Sequence, residues 1–201
     1  MESFQDLIKA MKFLLKDITV NAREINQRFI RESNRFKEIA LVAQLCVLAA
    51  ILQSAGGFYP WMGYLVSAMS TGPVVIASVF SLRCGLQTYL AACMLLLFLQ
   101  PAELIIFAFT TGPLGLGLGV AFLTFRKRLP VIVLTSLFLL TGIMILLYGL
   151  KFPVLGPVVS TNAVLSSILL IYGFCFIYSG FWVEACRVFL NRYKNIFYTR
   201  L

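Results

Sequence analysis

The chain has 201 residues, of which 60% are hydrophobic and 12% charged, with a net charge of +9, no histidine and a mean hydropathy of +0.91. A water-soluble domain carries about twice that share of charge, so the composition excludes one and predicts a membrane protein. The five cysteines, Cys46, Cys84, Cys93, Cys175 and Cys186, stand in apolar stretches without CxxC spacing, which argues against a zinc site or a disulfide framework and leaves them as small packing residues.

Residues 1–38 form a charged N-terminal segment. Phe4, Leu7, Ile8, Met11, Leu14, Leu15 and Ile18 recur at steps of three and four with Lys9, Lys12 and Lys16 between them, which predicts an amphipathic helix at the cytoplasmic membrane surface. Asn21 followed by Glu24 reads as a capping box opening a second helix. The segment lacks the short apolar core and cleavage site of a signal peptide, so a retained, cytoplasmic N-terminus is expected.

A spanning helix needs about 20 apolar residues at about 1.5 Å rise each. Six segments qualify, at about 39–56, 61–82, 84–100, 102–125, 129–149 and 163–186. The expected fold is therefore all-α, a polytopic six-helix transmembrane bundle over 39–190, preceded by the amphipathic segment 1–38 and followed by a short basic tail, 191–201. Tight connections at "SLRCG" and "LQPAE" make neighbouring spans antiparallel. With the N-terminus inside, sixteen of the seventeen basic residues fall on the cytoplasmic side and only Lys151 on the other. That bias predicts a multi-pass chain with both termini in the cytoplasm, and accounts for the net charge through the lipid bilayer rather than nucleic acid.

Two four-residue words interrupt the second and fourth spans: "STGP" at 70–73 and "TTGP" at 110–113. Pro73 and Pro113 have no N–H for the carbonyls of Met69 and Phe109, and Gly72 and Gly112 soften the same turns, so both helices are expected to break there. An unpaired carbonyl inside a bilayer costs several kcal/mol, so neighbouring protein or the hydroxyls of Ser70, Thr71, Thr110 and Thr111 must shelter the breaks. Helix bending for packing and a polar opening for a ligand are rival readings of the pair. The two units also have the form of a parallel repeat of one helical hairpin. After the second break, Thr111, Gly115 and Gly119 line one face and Gly117 and Ala121 another, while Cys46, Ala50 and Ser54 make a similar stripe in the first span; small residues at this spacing let helices approach closely.

No ionisable residue stands at the centre of a span. Glu184 is expected to pair with Arg187 or another basic residue of the inner side, and Glu103 to sit at the outer end of the fourth span within reach of water. Tyr59, Trp61, Tyr64, Glu103, Thr110, Lys151 and Asn162 are the candidates to line an outer ligand cavity. The chain offers no histidine, no paired central carboxylates, no activated nucleophile, no nucleotide site and no metal or cofactor set, so it reads as a non-enzyme without a cofactor.

The stretches "GPVVIASVFSLRCGLQTYLAAC" at 72–93 and "FTTGPLGLGLGVAFLTFRKRLPVIVLTSLFLLTGIMILLYG" at 109–149 resemble the YybS-like family of bacterial membrane proteins, which is related to the S components of energy-coupling factor transporters. The resemblance covers residues 39–190. It implies a six-helix bundle that binds a small nutrient, often a vitamin or a metal, near its outer face, while a transmembrane T subunit and two ATPases supply the drive. S components often carry an alanine-xxx-alanine coupling motif in the first helix; the nearest substitute here is Cys46, Ala50 and Ser54. The function expected on this basis is a substrate-binding subunit of an importer powered by other subunits. The alternative is a non-transport scaffold that recruits a partner through its N-terminal helices.

Overall fold

The computed structural model describes residues 14, 17–18, 20–58, 62–152 and 165–198. Within them the chain is helical: α1 Val20–Glu32, α2 Arg35–Phe58, α3 Met62–Ala68, α4 Thr71–Phe80, α5 Leu82–Leu99, α6 Pro101–Phe109, α7 Thr111–Thr124, α8 Arg128–Met144 with a π-helical turn Ile145–Gly149, and α9 Leu165–Tyr198. These make six helical units long and apolar enough to cross a membrane, with α3 and α4 together forming the second and α6 and α7 together the fourth. Large apolar side chains such as Leu86, Leu90, Met94 and Phe98 stay exposed, as they do when lipid rather than water surrounds a helix.

Local sequence sets the ends of the elements. Asn34 accepts the amide of Lys37 at 2.9 Å and caps α2. Ser81, extended at φ −159° and ψ 134°, divides α4 from α5, and Pro101 opens α6 in the first turn, where a missing N–H costs nothing. One expectation is corrected here: Asn21 lies inside the first turn of α1, and its amide donates to Asn191 of α9. The last helix runs without a break through residue 190 to Tyr198.

The helix of the second unit is interrupted at Met69 and Ser70, and that of the fourth at Thr110. At the first break the chain tightens into i→i−3 bonds, Met69 to Val66, Ser70 to Ser67 and Gly72 to Met69, so the carbonyl that Pro73 cannot serve is taken by Gly72 instead. At the second break Thr110 departs from helical geometry (φ −116°, ψ −82°), and its amide and hydroxyl both bond to Ile106. Tyr89 of α5 donates its hydroxyl to Ala108 at 2.9 Å, and the carbonyl of Phe109 lies against Gly142 of α8, where a Cβ would overlap it.

The two broken units occupy the middle of the bundle: 56% of each is buried, against 28% for the third and sixth. Their second halves touch directly. A Cβ on Gly115 would stand 2.7 Å from Cβ of Val74, and one on Gly119 would collide with Cβ of Ser78. Gly85 of α5 closes on Ser78 from another side, so Ser78 is enclosed by two glycines. Gly115 and Gly119 thus form the α7 face against α4, while Gly117 meets Phe138 of α8. Where lipid is the solvent, burial of apolar area does not drive helices together, and such close approach supplies the packing energy instead. Cys46 and Ala50 of α2 join a core with Val74, Ala92, Leu96 and Phe107, and Ser54 is buried with its hydroxyl bonded to Ala50 at 2.8 Å. A larger core joins α1, α4, α7, α8 and α9.

Helix α1 lies across one end of this bundle, the end that also carries Arg83, Arg126 and Lys127. Ala22 and Ile25 are buried in the larger core. Asn26 donates to the carbonyls of Val79 and Phe80 at 3.2 and 3.0 Å, and Arg23 donates to that of Thr124 at 2.8 Å. One helix therefore satisfies last-turn carbonyls of both α4 and α7, groups that have no partner within their own helices. Phe29 also meets the Phe80 ring, with centroids 5.1 Å apart. Most of the amphipathic stretch expected before residue 19 lies outside the described residues; of its apolar positions, Leu14 packs against the larger core, and Ile18 is buried and donates its amide to the carbonyl of Arg126 at 3.1 Å.

Candidate functional site

Most hydroxyls in the spans bond back to their own helices: Ser78 to Val74, Thr135 to Val131 and Thr141 to Leu137. Ser70 and Thr111 do otherwise. Each stands at a break, and each donates to Oε1 of Gln53 in α2, at 2.7 and 2.9 Å. The other side of the same amide donates through Nε2 to Oε2 of Glu103 at 2.7 Å. Gln53 is fully buried and Glu103 is 5% exposed. One amide thereby joins both helix breaks to a buried carboxylate.

The fold permits this because Gly56, one turn beyond Gln53, has no side chain. A Cβ there would lie 2.7 Å from Oε1 of Glu103, so the carboxylate rests on bare backbone of α2. Glu103 is also in the first turn of α6, where helix dipole and carboxylate attract. The expectation that Glu103 reaches water is corrected on this point: the gap left by Gly56 and the donor offered by Gln53 draw it inward.

The other sequence candidates separate. Thr110 is buried beside the cluster, but its hydroxyl is committed to Ile106 at 2.6 Å. Tyr64 is 62% exposed and turned away from the interior. Lys151 is exposed, holds a left-handed backbone at φ 53°, and makes no ion pair with Glu103. Tyr59, Trp61 and Asn162 lie outside the described residues. Gln53 and Tyr89 were not anticipated. Gln53 did leave a signal, as one of two glutamines, with Gln44, that interrupt the apolar run starting at Ile39.

Each break also opens on an apolar groove on its other side. One, of about 250 Å³, is lined by Met69, Gly72, Pro73, Leu52, Trp182 and Cys186 among others. The second, of about 320 Å³, lies between Phe109, Pro113, Phe138 and Gly142. Polar chemistry therefore concentrates where the two breaks face Gln53, and the grooves offer only shape to an apolar occupant.

At the basic end, Arg128 is 1% exposed and lies 3.0 Å from a carboxylate oxygen of Glu184, which also meets Arg187 at 2.8 Å. This is a paired structural charge, and it includes the local Glu184–Arg187 contact expected from their spacing. Among the described residues no three Cys, Asp or Glu side chains gather as a metal centre would need.

No protein-family model, curated protein or solved structure matches the chain.

Proposed function

We propose that this protein is the substrate-binding membrane subunit of a small-nutrient importer, with other subunits supplying the energy. The observation that carries the reading is Gln53, which ties the buried carboxylate of Glu103 to the hydroxyls of Ser70 and Thr111 at two helix breaks. A carboxylate withdrawn from water inside an apolar bundle is costly and is a functional site by default, and interrupted helices are a recurrent way to build a solute site within a membrane. The resemblance of residues 72–93 and 109–149 to the YybS-like family, and through it to S components, supports the same reading. In this scheme the end bearing α1 faces the cytoplasm of a bacterial cell, both termini are inside, and Glu103 lies in the outer half of the bilayer.

Transport follows from binding and reorientation without covalent chemistry. Because Cys46, Ala50 and Ser54 are buried within the bundle, an energy-coupling T subunit would engage a different face. On the scaffold reading a partner would dock on the N-terminal helices; of the apolar residues of α1, Ala22 and Ile25 are occupied within the bundle and Ile30 is exposed.

The test is native mass spectrometry of protein purified from its host membrane, beside the Glu103→Gln variant. A small molecule retained by the native chain and lost from the variant is expected, together with a T subunit and ATPases in gentle preparations. An identical bound complement in both proteins would remove Glu103 from the site.

A further inference from the structure

Glu103 is 5% exposed, and among the described residues its carboxylate receives one hydrogen bond, from the neutral amide of Gln53. A carboxylate has room for about four such bonds. The ion pairs among the described residues, Arg28–Glu32, Arg128–Glu184 and Arg187–Glu184, do not involve it. The direction of the network matters as well. Ser70 and Thr111 donate to the Gln53 carbonyl, and the Gln53 amide donates to Glu103, so these hydrogens are arranged in sequence toward the carboxylate, as suits a negative charge there.

We infer that this site takes a cation, with Glu103 as its counter-charge. The inference rests on the reading of the Glu103 cluster as the binding site and adds the charge of what binds. An ionised carboxylate far from water is strongly disfavoured unless a positive charge accompanies it, and none of the described residues pairs with it here. A neutral ligand would leave the carboxylate uncompensated, and an anionic one would be repelled. Gln53 turns its nitrogen to Glu103 and its oxygen is taken by Ser70 and Thr111, so the ligand atoms left are the free lone pairs of the carboxylate oxygens, which suit either an ammonium group or a hard monovalent metal ion. Both present the same chemistry to Glu103.

The test is thermal unfolding of the full chain in detergent, titrated with sodium, potassium or methylammonium chloride at ionic strength held constant with N-methylglucamine chloride. A saturable rise in Tm with at least one of the three is expected, and its loss in Glu103→Gln, which keeps the shape of the side chain. A response to sodium or potassium alone identifies an inorganic ion, and a response to methylammonium identifies an ammonium-bearing ligand. Glu103→Asp, which keeps the charge but shortens its reach, is expected to bind roughly tenfold more weakly and serves if glutamine prevents folding. Identical responses of native and variant chains in all three salts would overturn the inference, as they would if Glu103 simply held a proton. A neutral or anionic molecule retained by the native chain and lost from Glu103→Gln would overturn it too, while leaving the binding reading intact.

Discussion

Gly142 of α8 lies against the carbonyl oxygen of Phe109, the acceptor that Pro113 leaves without its helical donor. The contact turns a Cα–H toward that oxygen, and it forbids any side chain at 142. Gly142→Ala is expected to destabilise the protein by about 1–3 kcal/mol, since the obstacle is backbone and cannot swing aside. Gly173, where a Cβ would meet nothing within 4 Å, is the control: alanine there should leave the melting temperature unchanged or higher. Thermal unfolding of the two variants side by side checks both statements.

Gln53→Leu should cost about 1–3 kcal/mol, because it strands the Glu103 carboxylate and two hydroxyls at once. Removing Glu103 as well should cost less than the two single changes added together, with a coupling of about 0.5–3 kcal/mol in a double-mutant cycle. Strict additivity would mean that the 2.7 Å contact contributes nothing.

The close approach of α7 to α4 predicts a specific rescue. Gly119→Ala should destabilise by about 1–3 kcal/mol through collision with Cβ of Ser78. Ser78→Gly removes that atom, and although glycine in a helix costs about 1 kcal/mol, the double variant should be more stable than Gly119→Ala alone. Ser78→Ala, which keeps the Cβ, should give no rescue.

Asn26→Ala removes donors from the last turn of α4, with an expected cost of about 1 kcal/mol. Arg23→Ala should cost less, since water can replace an exposed donor. Hydrogen exchange checks where the effect falls: the last turns of α4 and α7 should exchange faster in the respective variants, with the middle of the bundle unchanged.

Much of the architecture was readable before any fold was known. Apolar runs marked the first five helical units to within a few residues and fell short of the end of the sixth, and the two Gly-Pro words stand where the helices break, because a proline nitrogen has no hydrogen to give in any context. The candidate site was less legible. Sequence pattern pointed to Glu103 and Thr110 but also to Tyr64, which is exposed, and it passed over Gln53, Tyr89 and Gly142. Those three act on groups 50, 19 and 33 positions away, at Glu103, Ala108 and Phe109, and no local periodicity reports such a partnership.

Composition and spacing alone thus determined the helical character of the chain, its charge asymmetry and the positions at which its backbone must be interrupted, since these follow from properties each residue carries wherever it is placed. Only tertiary packing decided that α1 would cap two other helices, that Ser78 would be enclosed by glycines and that Glu103 would be drawn inward. Those outcomes depend on which surfaces meet. A carboxylate two residues from the start of a helix can reach water or be buried, and here the bare backbone of Gly56 and the amide of Gln53 decided between the two.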